Sequence, residues 1–297
     1  MISIFTPTYN RAYTLDRLFT SLMNQTCKDF EWIIVNDGSN DNTEDRINKY
    51  IEKADFEIYY VYQENQGKHI SLNLGQQMAK EELFMCIDSD DWITETTVER
   101  ILQDYHHIIG KDSIGGMMYL DKDENNKIIG SNIPDYKESN WIDLVHRQNM
   151  TGDKLYIFKT KIIKNYSFYS YPNNNHMPPT YQLYLFSNDY NFFCINHPLK
   201  VVKYLPDGIS RNITLKYFTA PENYMLYRKI IHKYLPTFKA RLKNIIHYNI
   251  AAIISREKDK QLLFKSKSLI VKSKLLLPIS YIFYLYFKTK NKQKVKE

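Results

Sequence analysis

The first hundred residues alternate between short apolar, β-prone runs and helical patterns, and each apolar run ends in a polar cluster. Residues 2–6 read as a strand and 8–10 as a turn. Leu15, Leu18, Phe19 and Leu22 then repeat at helical spacing. A second buried strand is expected over 30–35, a helix over 43–54, a strand over 57–62, a helix over 70–79 and a fourth strand over 83–87. Such alternation implies parallel strands joined by right-handed crossovers. Ligands of open sheets of this kind collect at the carboxyl ends of the strands. The polar clusters 6–11, 36–41, 63–69 and 88–91 all fall there, which makes a nucleotide-sized cleft plausible.

The last of these clusters carries the most chemistry. Asp88, Asp90 and Asp91 lie within four residues. Carboxylates this close repel one another unless a cation sits between them. Hard oxygen donors favour Mg²⁺ or Mn²⁺, ions that usually share a site with substrate phosphates. The plain alternative is an acidic turn in which Asp90 or Asp91 caps a helix over 94–102.

Beyond residue 110 the pattern is less regular. Strands are expected over 113–120, 126–133 and 153–158, with short helices over 141–147, 160–165 and 181–187. Two more strands, 192–196 and 200–205, flank a turn at His197-Pro198, and Asp207-Gly208 marks another turn. From Pro221 on, helices are expected over 223–234, 238–255 and 260–274. The reading divides the chain into a catalytic domain, 1–220, with halves 1–105 and 106–220, and a helical basic extension, 221–297.

Charge supports that division. Residues 221–297 carry 18 Lys and Arg against 4 Asp and Glu, whereas 1–220 carry 22 against 29. A basic tail on an acidic body points to an anionic partner surface. Residues 275–287 are almost wholly apolar around Pro278, and 288–296 are polybasic. Thirteen apolar residues fall short of the roughly 20 a membrane span needs. Segment 275–297 is therefore expected to lie in the interface of an anionic membrane. The tail shows no groove-reading motif, so nucleic acid is not an expected partner. Cys27, Cys86 and Cys194 form no metal or disulfide pattern, which suits a reducing compartment. The start Met1-Ile2-Ser3-Ile4-Phe5 reads as a strand rather than a leader. The expected location is the cytoplasm, peripheral on the inner face of the cell membrane.

The ordered set Thr6-Pro7-Thr8-Tyr9-Asn10-Arg11, Asn36-Asp37-Gly38-Ser39, Glu64-Asn65-Gln66-Gly67-Lys68, Asn73-Leu74-Gly75 and Asp88-Ser89-Asp90-Asp91 resembles family 2 glycosyltransferases. The resemblance is strong over about 1–105 and loose over 110–220. It implies an α/β fold, a Rossmann-like, mostly parallel sheet flanked by helices (the A-type nucleotide-sugar fold). It also implies inverting transfer of one sugar from a UDP-sugar to a lipid-linked or oligosaccharide acceptor, in capsule or other surface-polysaccharide assembly.

By the same resemblance, Thr6, Pro7 and Tyr9 would line the nucleoside pocket, and Asp37 would accept a hydrogen bond from the base. Ser39 would support that loop, Gly67 would let the backbone approach the nucleotide, and Lys68 and Asn73 would contact it. Asp88, Asp90 and Asp91 would form the metal and ribose cluster, with Asp90 also near the nucleotide and Asp91 counted among the catalytic residues.

The chain departs from the family where many relatives carry an acidic base. It has Pro178-Pro179-Thr180-Tyr181 there, and Thr180 cannot take a proton at neutral pH. Asp153, in Thr151-Gly152-Asp153-Lys154, is the first substitute, ahead of Asp189 and Asp207. Two other readings compete: a nucleotidyltransferase of sugar phosphates, and an inactive sugar-nucleotide-binding scaffold. The first would want a glycine-rich loop, and residues 6–11 contain no Gly.

Overall fold

The computed structural model describes residues 1–203, 213–255 and 264–291. The chain forms two compact units, Met1–Ser167 with Phe186–Leu205, and Phe168–Leu185 with Pro206–Glu297.

The first unit opens as expected: β1 (Ile2–Thr8), α1 (Ala12–Met23), β2 (Phe30–Asp37), α2 (Thr43–Lys53), β3 (Glu57–Gln63), α3 (Lys68–Met78) and β4 (Leu83–Cys86). β1 pairs in parallel with β2 and β4, and β2 with β3, so the loops after all four strands share one edge. β1 and β2 are buried along their whole length. Covered on both faces, they need near-continuous apolar sequence rather than alternation. Trp32, Ile4, Leu15, Leu18 and Met85 meet in the core. Gly75 lets α3 close onto β1, because a Cβ there would lie 2.2 Å from the Phe5 ring.

The rest of the sheet is mixed. After β5 (Trp92–Ile93) and α4 (Thr97–Tyr105) come β6 (Ile114–Asp123), β7 (Lys137–Ser139), α5 (Trp141–His146), β8 (Lys154–Lys159), α6 (Thr160–Ile163), α7 (Thr180–Asp189) and β9 (Asn191–Val202). The strand order is β3-β2-β1-β4-β8-β6-β9-β5, with β7 on β9. β8 enters antiparallel between β4 and β6, and β9 runs parallel to β6.

Three expectations are corrected here. Residues 126–133 form no strand beyond a single bridge from Lys122 to Ile128, because Asn126 and Gly130 adopt left-handed backbone angles (φ 61° and 72°). The two strands about His197-Pro198 are one strand, β9, in which the register shifts beside Pro198 absorb the missing N–H. α4 starts at Thr97 behind Thr96, and β5 separates it from the acidic cluster, so neither Asp90 nor Asp91 caps it.

The second unit contains α8 (Ile213–Thr219), α9 (Pro221–Ile231), α10 (Phe238–Ser255) and α11 (Lys267–Lys290). Its core gathers Tyr217, Tyr224, Met225, Ile245, Tyr248 and Phe287. The thirteen-residue apolar segment is not a separate element. It is the middle of α11, a 24-residue helix that is long and apolar enough to cross a membrane. Pro278 lies inside without ending it. The turn at Asp207-Gly208, the start of the expected 260–274 helix and the polybasic residues after 291 lie outside the described residues.

Candidate active site

The loops after β1, β2 and β3 are tied together by side chains. Asp37, at the end of β2, is buried and accepts three hydrogen bonds. Gln63 Nε2 (2.7 Å) and the Gln66 N–H (2.9 Å) donate to Oδ1, and the Gly67 N–H (2.8 Å) donates to Oδ2. A carboxylate offers about four lone-pair sites, so one remains for a ligand donor. Gly67, at φ 93°, ends this loop and begins α3. Gly38, at φ 82°, passes so close to Asn65 that a Cβ would sit 2.7 Å from its nitrogen. Ser39 Oγ accepts from the Asn10 N–H (2.9 Å), and Asn10 Oδ1 accepts from the Asn40 N–H (2.9 Å), which joins the first loop to the second. Thr6 is fully buried, and its hydroxyl accepts from the Trp32 indole (2.9 Å). Pro7 is buried beside it, Tyr9 is 48% exposed, and Asn73 lies on α3.

Asp37→Ala is expected to leave two backbone donors without acceptors, one of them buried, at about 1–3 kcal/mol per buried donor. Urea denaturation measures the cost. Asp37→Asn, which keeps one oxygen, is expected to lose less.

The acidic cluster follows β4 and is only partly neutralised. Lys68 Nζ lies 2.5 Å from Asp88 Oδ1. Burial works against the Asp88 carboxylate, but the Lys68 and Lys200 ammonium groups outweigh it and hold its pKa below the ordinary value. Asp91 is buried, and Lys200 Nζ lies 3.4 Å from its Oδ2. Burial pushes Asp91 up to about 7. Lys200 opposes that shift, while Asp88, Asp90 and Asp121 reinforce it. Asp90 is also raised, by burial first and then by Asp88. It forms no ion pair among the described residues. Its backbone carbonyl accepts from Arg17 (2.5 Å), whose guanidinium stacks 3.9 Å over Trp92.

Two residues of this cluster were not anticipated from sequence. Asp121, on β6, has 0% exposure and no well-formed hydrogen bond. Its compensation is Lys200 Nζ at 3.1 Å. β6 and β9 pair with Asp121 opposite Lys200, and β5 pairs with Ile93 opposite Lys200, so one ammonium serves both Asp121 and Asp91. The available signal was a carboxylate directly after the apolar run 117–120.

The antiparallel register also brings Asp153 to this edge. Leu120 pairs with Lys154, so Asp153, immediately before β8, lies beside the end of β6. Asp153 is exposed and close enough to raise the pKa of Asp121 further, after burial and against Lys200. Of the weaker candidates, Asp189 accepts from Tyr166 (2.8 Å), and Asp207 lies outside the described residues. Thr180 shares a hydrogen bond with Tyr227 (2.8 Å).

The donor set suits a hard divalent cation. Among the described residues, Asp88, Asp91 and Asp121 form ion pairs with Lys68 and Lys200, and Arg11 and Arg17 add positive charge near Asp90 and Asp91. The carboxylates do not already converge as a ligand sphere among the described residues. Lys68 and Lys200 hold Asp88 and Asp91, whereas Asp90 forms no ion pair among the described residues.

A parallel nucleotide-type half sheet with tied loops and an acidic edge defines the A-type glycosyltransferase fold, and comparisons with known proteins agree. The glycosyl transferase family 2 profile matches residues 3–190, and the chain belongs to that family. It is 36% identical over 129 residues to an uncharacterized glycosyltransferase of Nostoc, covering 43% of this chain and 39% of that one. It is 33% identical over 99 residues to the poly-beta-1,6-N-acetyl-D-glucosamine synthase of Staphylococcus aureus, covering 33% of this chain and 24% of the synthase. The matched stretch thus spans well under half of either relative.

Two solved structures share the fold. S. aureus TarS 1–349 has a TM-score of 0.56 at 16% identity, covering 95% of this chain and 80% of TarS. The mannosyltransferase PcManGT of Pyrobaculum calidifontis, solved with GDP-Man and Mn²⁺, has a TM-score of 0.55 at 15% identity, covering 97% and 87%.

Proposed function

We propose that this chain transfers one sugar from a UDP-sugar to a hydroxyl of a lipid-linked or oligosaccharide acceptor, with inversion, at the edge formed by the ends of β1, β2, β4 and β6. The observation that carries the reading is the joining of two features on one edge: the Asp37 clamp, and an acidic cluster whose charge two lysines leave incompletely balanced. TarS has been solved with UDP-GlcNAc, which supports a UDP-sugar as the donor class.

In this reading Asp37 offers its remaining lone pair to the base, and Tyr9 covers the nucleoside beside Pro7 and Thr6. Ser39 holds the first two loops together, Gly67 lets the backbone approach, and Lys68 and Asn73 contact the nucleotide. Asp90 and Asp88 would hold Mn²⁺ or Mg²⁺, while Asp91 stays with Lys200. The bound ion would neutralise charge on the departing diphosphate. The acceptor oxygen attacks the anomeric carbon from the face opposite the UDP oxygen, and the bond to UDP breaks. Asp153, exposed at the same edge, takes the hydroxyl proton. The work belongs to surface-polysaccharide assembly, and the lysine-rich tail draws the protein to the anionic inner face of the membrane.

Product analysis tests the class of reaction. Released UDP is expected, whereas released pyrophosphate would mean nucleotidyl transfer instead. Asp153→Asn is expected to cut turnover by about 10²–10⁴-fold, the usual worth of a positioned base, with UDP affinity nearly unchanged. Unchanged turnover in that variant would remove Asp153 from the role.

A further inference from the structure

α11 leaves most of its apolar side chains on its outer surface. Residues 269, 273, 276, 280, 284, 287 and 291 are its only positions not exposed in and just beyond the helix, a single stripe at spacings of three and four. That stripe mixes Leu269, Leu276, Tyr284 and Phe287, which pack on the core of this unit, with Ser273, Ser280 and Asn291. It packs on α10 through a polar seam. Ser273 Oγ donates to Asn249 Oδ1 (2.6 Å), and Asn249 Nδ2 donates to Ser280 Oγ (3.1 Å) and to the Ser273 carbonyl (2.9 Å). Asn249 and Ser280 are buried.

The outer surface is more apolar still through the middle of the helix. Ile270, Val271, Leu275, Leu277, Ile279, Tyr281, Ile282, Phe283, Leu285 and Tyr286 are all exposed, with Leu275 at 73%. At 3.6 residues per turn they sweep about 240° of the helix. A water-soluble helix turns its apolar stripe inward and its polar face outward. A helix lying flat in a membrane interface needs a polar outer face as well. α11 has neither arrangement. Small polar residues at the contact and apolar side chains outside are how helices pack within lipid.

Charge identifies what covers this surface. Lys265, Lys267, Lys272 and Lys274 stand at one end of the apolar stretch, and Lys288 and Lys290 at the other. Glu222 is the single acid among the described residues of this unit. A second copy laid along α11, in either direction, would set lysines against lysines. Anionic headgroups suit both ends, and lysine stems reach toward them from apolar surroundings. Tyr286, near the second end, fits a membrane–water boundary.

We infer that α11, braced by α10, inserts into the hydrocarbon layer of an anionic bilayer rather than resting on its headgroups. The inference rests on the membrane reading proposed above and deepens it from electrostatic contact to insertion. α11 is about 36 Å long at 1.5 Å per residue. The loss of the Pro278 N–H is one that helices in membranes tolerate.

The test uses the full chain with vesicles containing phosphatidylserine. Wild-type protein is expected to stay bound through molar salt and alkaline carbonate. A Phe283→Trp variant is expected to be quenched by lipids brominated on their acyl chains. Leu275→Lys with Ile282→Lys is expected to lower the carbonate-resistant fraction at least about tenfold, given the cost of a charge at membrane depth. UDP titration of each variant reports separately on the fold and on the nucleotide site. Release of wild-type protein by salt alone, or absence of acyl-chain quenching, would overturn insertion while leaving the proposed reaction untouched. A lipid-free dimer that the two lysines dissociate would assign the surface to self-association instead.

Discussion

Lys200→Met is expected to destabilise the protein by about 3–5 kcal/mol above neutral pH, because one substitution strips the counter-charge from two buried carboxylates. The loss is expected to shrink as pH falls. In the wild type the pKa of Lys200 is raised well above its ordinary value, by Asp121 and then Asp91, against the effect of burial. Its contribution is therefore fully present across the neutral range and is lost only as pH rises through that raised value. Without Lys200, Asp91 and Asp121 titrate above their unfolded values, and Asp91 already lies at about 7 with the lysine in place. A folded state that binds more protons than the unfolded one loses stability as pH rises. Denaturant titrations across a pH series, in the presence of chelator, measure this. A loss independent of pH would show that the two carboxylates do not depend on Lys200 for their charge.

Asp90→Ala is expected to lower metal-dependent turnover by a factor on the order of 10²–10³, the scale of losing one preorganised electrostatic contact at a reacting centre. Thermal stability is expected to stay level or rise. Asp90 forms no ion pair among the described residues, and its charge helps to raise Asp91. Removing it relieves a repulsion. Activity lost together with several kcal/mol of stability would mean that Asp90 supports the fold rather than the reaction. Initial rates with and without Mn²⁺, beside thermal denaturation, separate the two.

The parallel half was legible because its signals are local. Each of β1, β2 and β3 is followed within a few residues by its own helix, and Asp37, Lys68 and Asp88 sit at or just beyond the ends of single elements: the end of β2, the start of α3 and the loop after β4. That Asp37 ties down residues 63–67 was not legible, since the bonds depend on the path of a loop about thirty residues away. Asp121 and Lys200 escaped for the same reason. Each is unremarked in its own segment, and they meet only through the pairing of β6 with β9, nearly eighty residues apart. His197-Pro198 was read as a turn between two strands, yet a register shift accommodates Pro198 inside β9. α11 was cut at its lysines by a composition argument. The backbone continues through them, and the seam of Ser273 and Ser280 on Asn249 shows why those serines recur within an apolar segment.

The most direct test of the central claim is calorimetric titration of the full chain with UDP, in the presence and absence of Mn²⁺, with GDP and CDP as controls. UDP-selective binding that strengthens with Mn²⁺ is the expected result, and the Mn²⁺ effect should weaken as pH falls, because burial and then Asp88 raise Asp90 above its ordinary value. Equal binding of all three nucleotides, or no binding under either condition, would contradict the account and leave a glycosyltransferase fold acting as a scaffold.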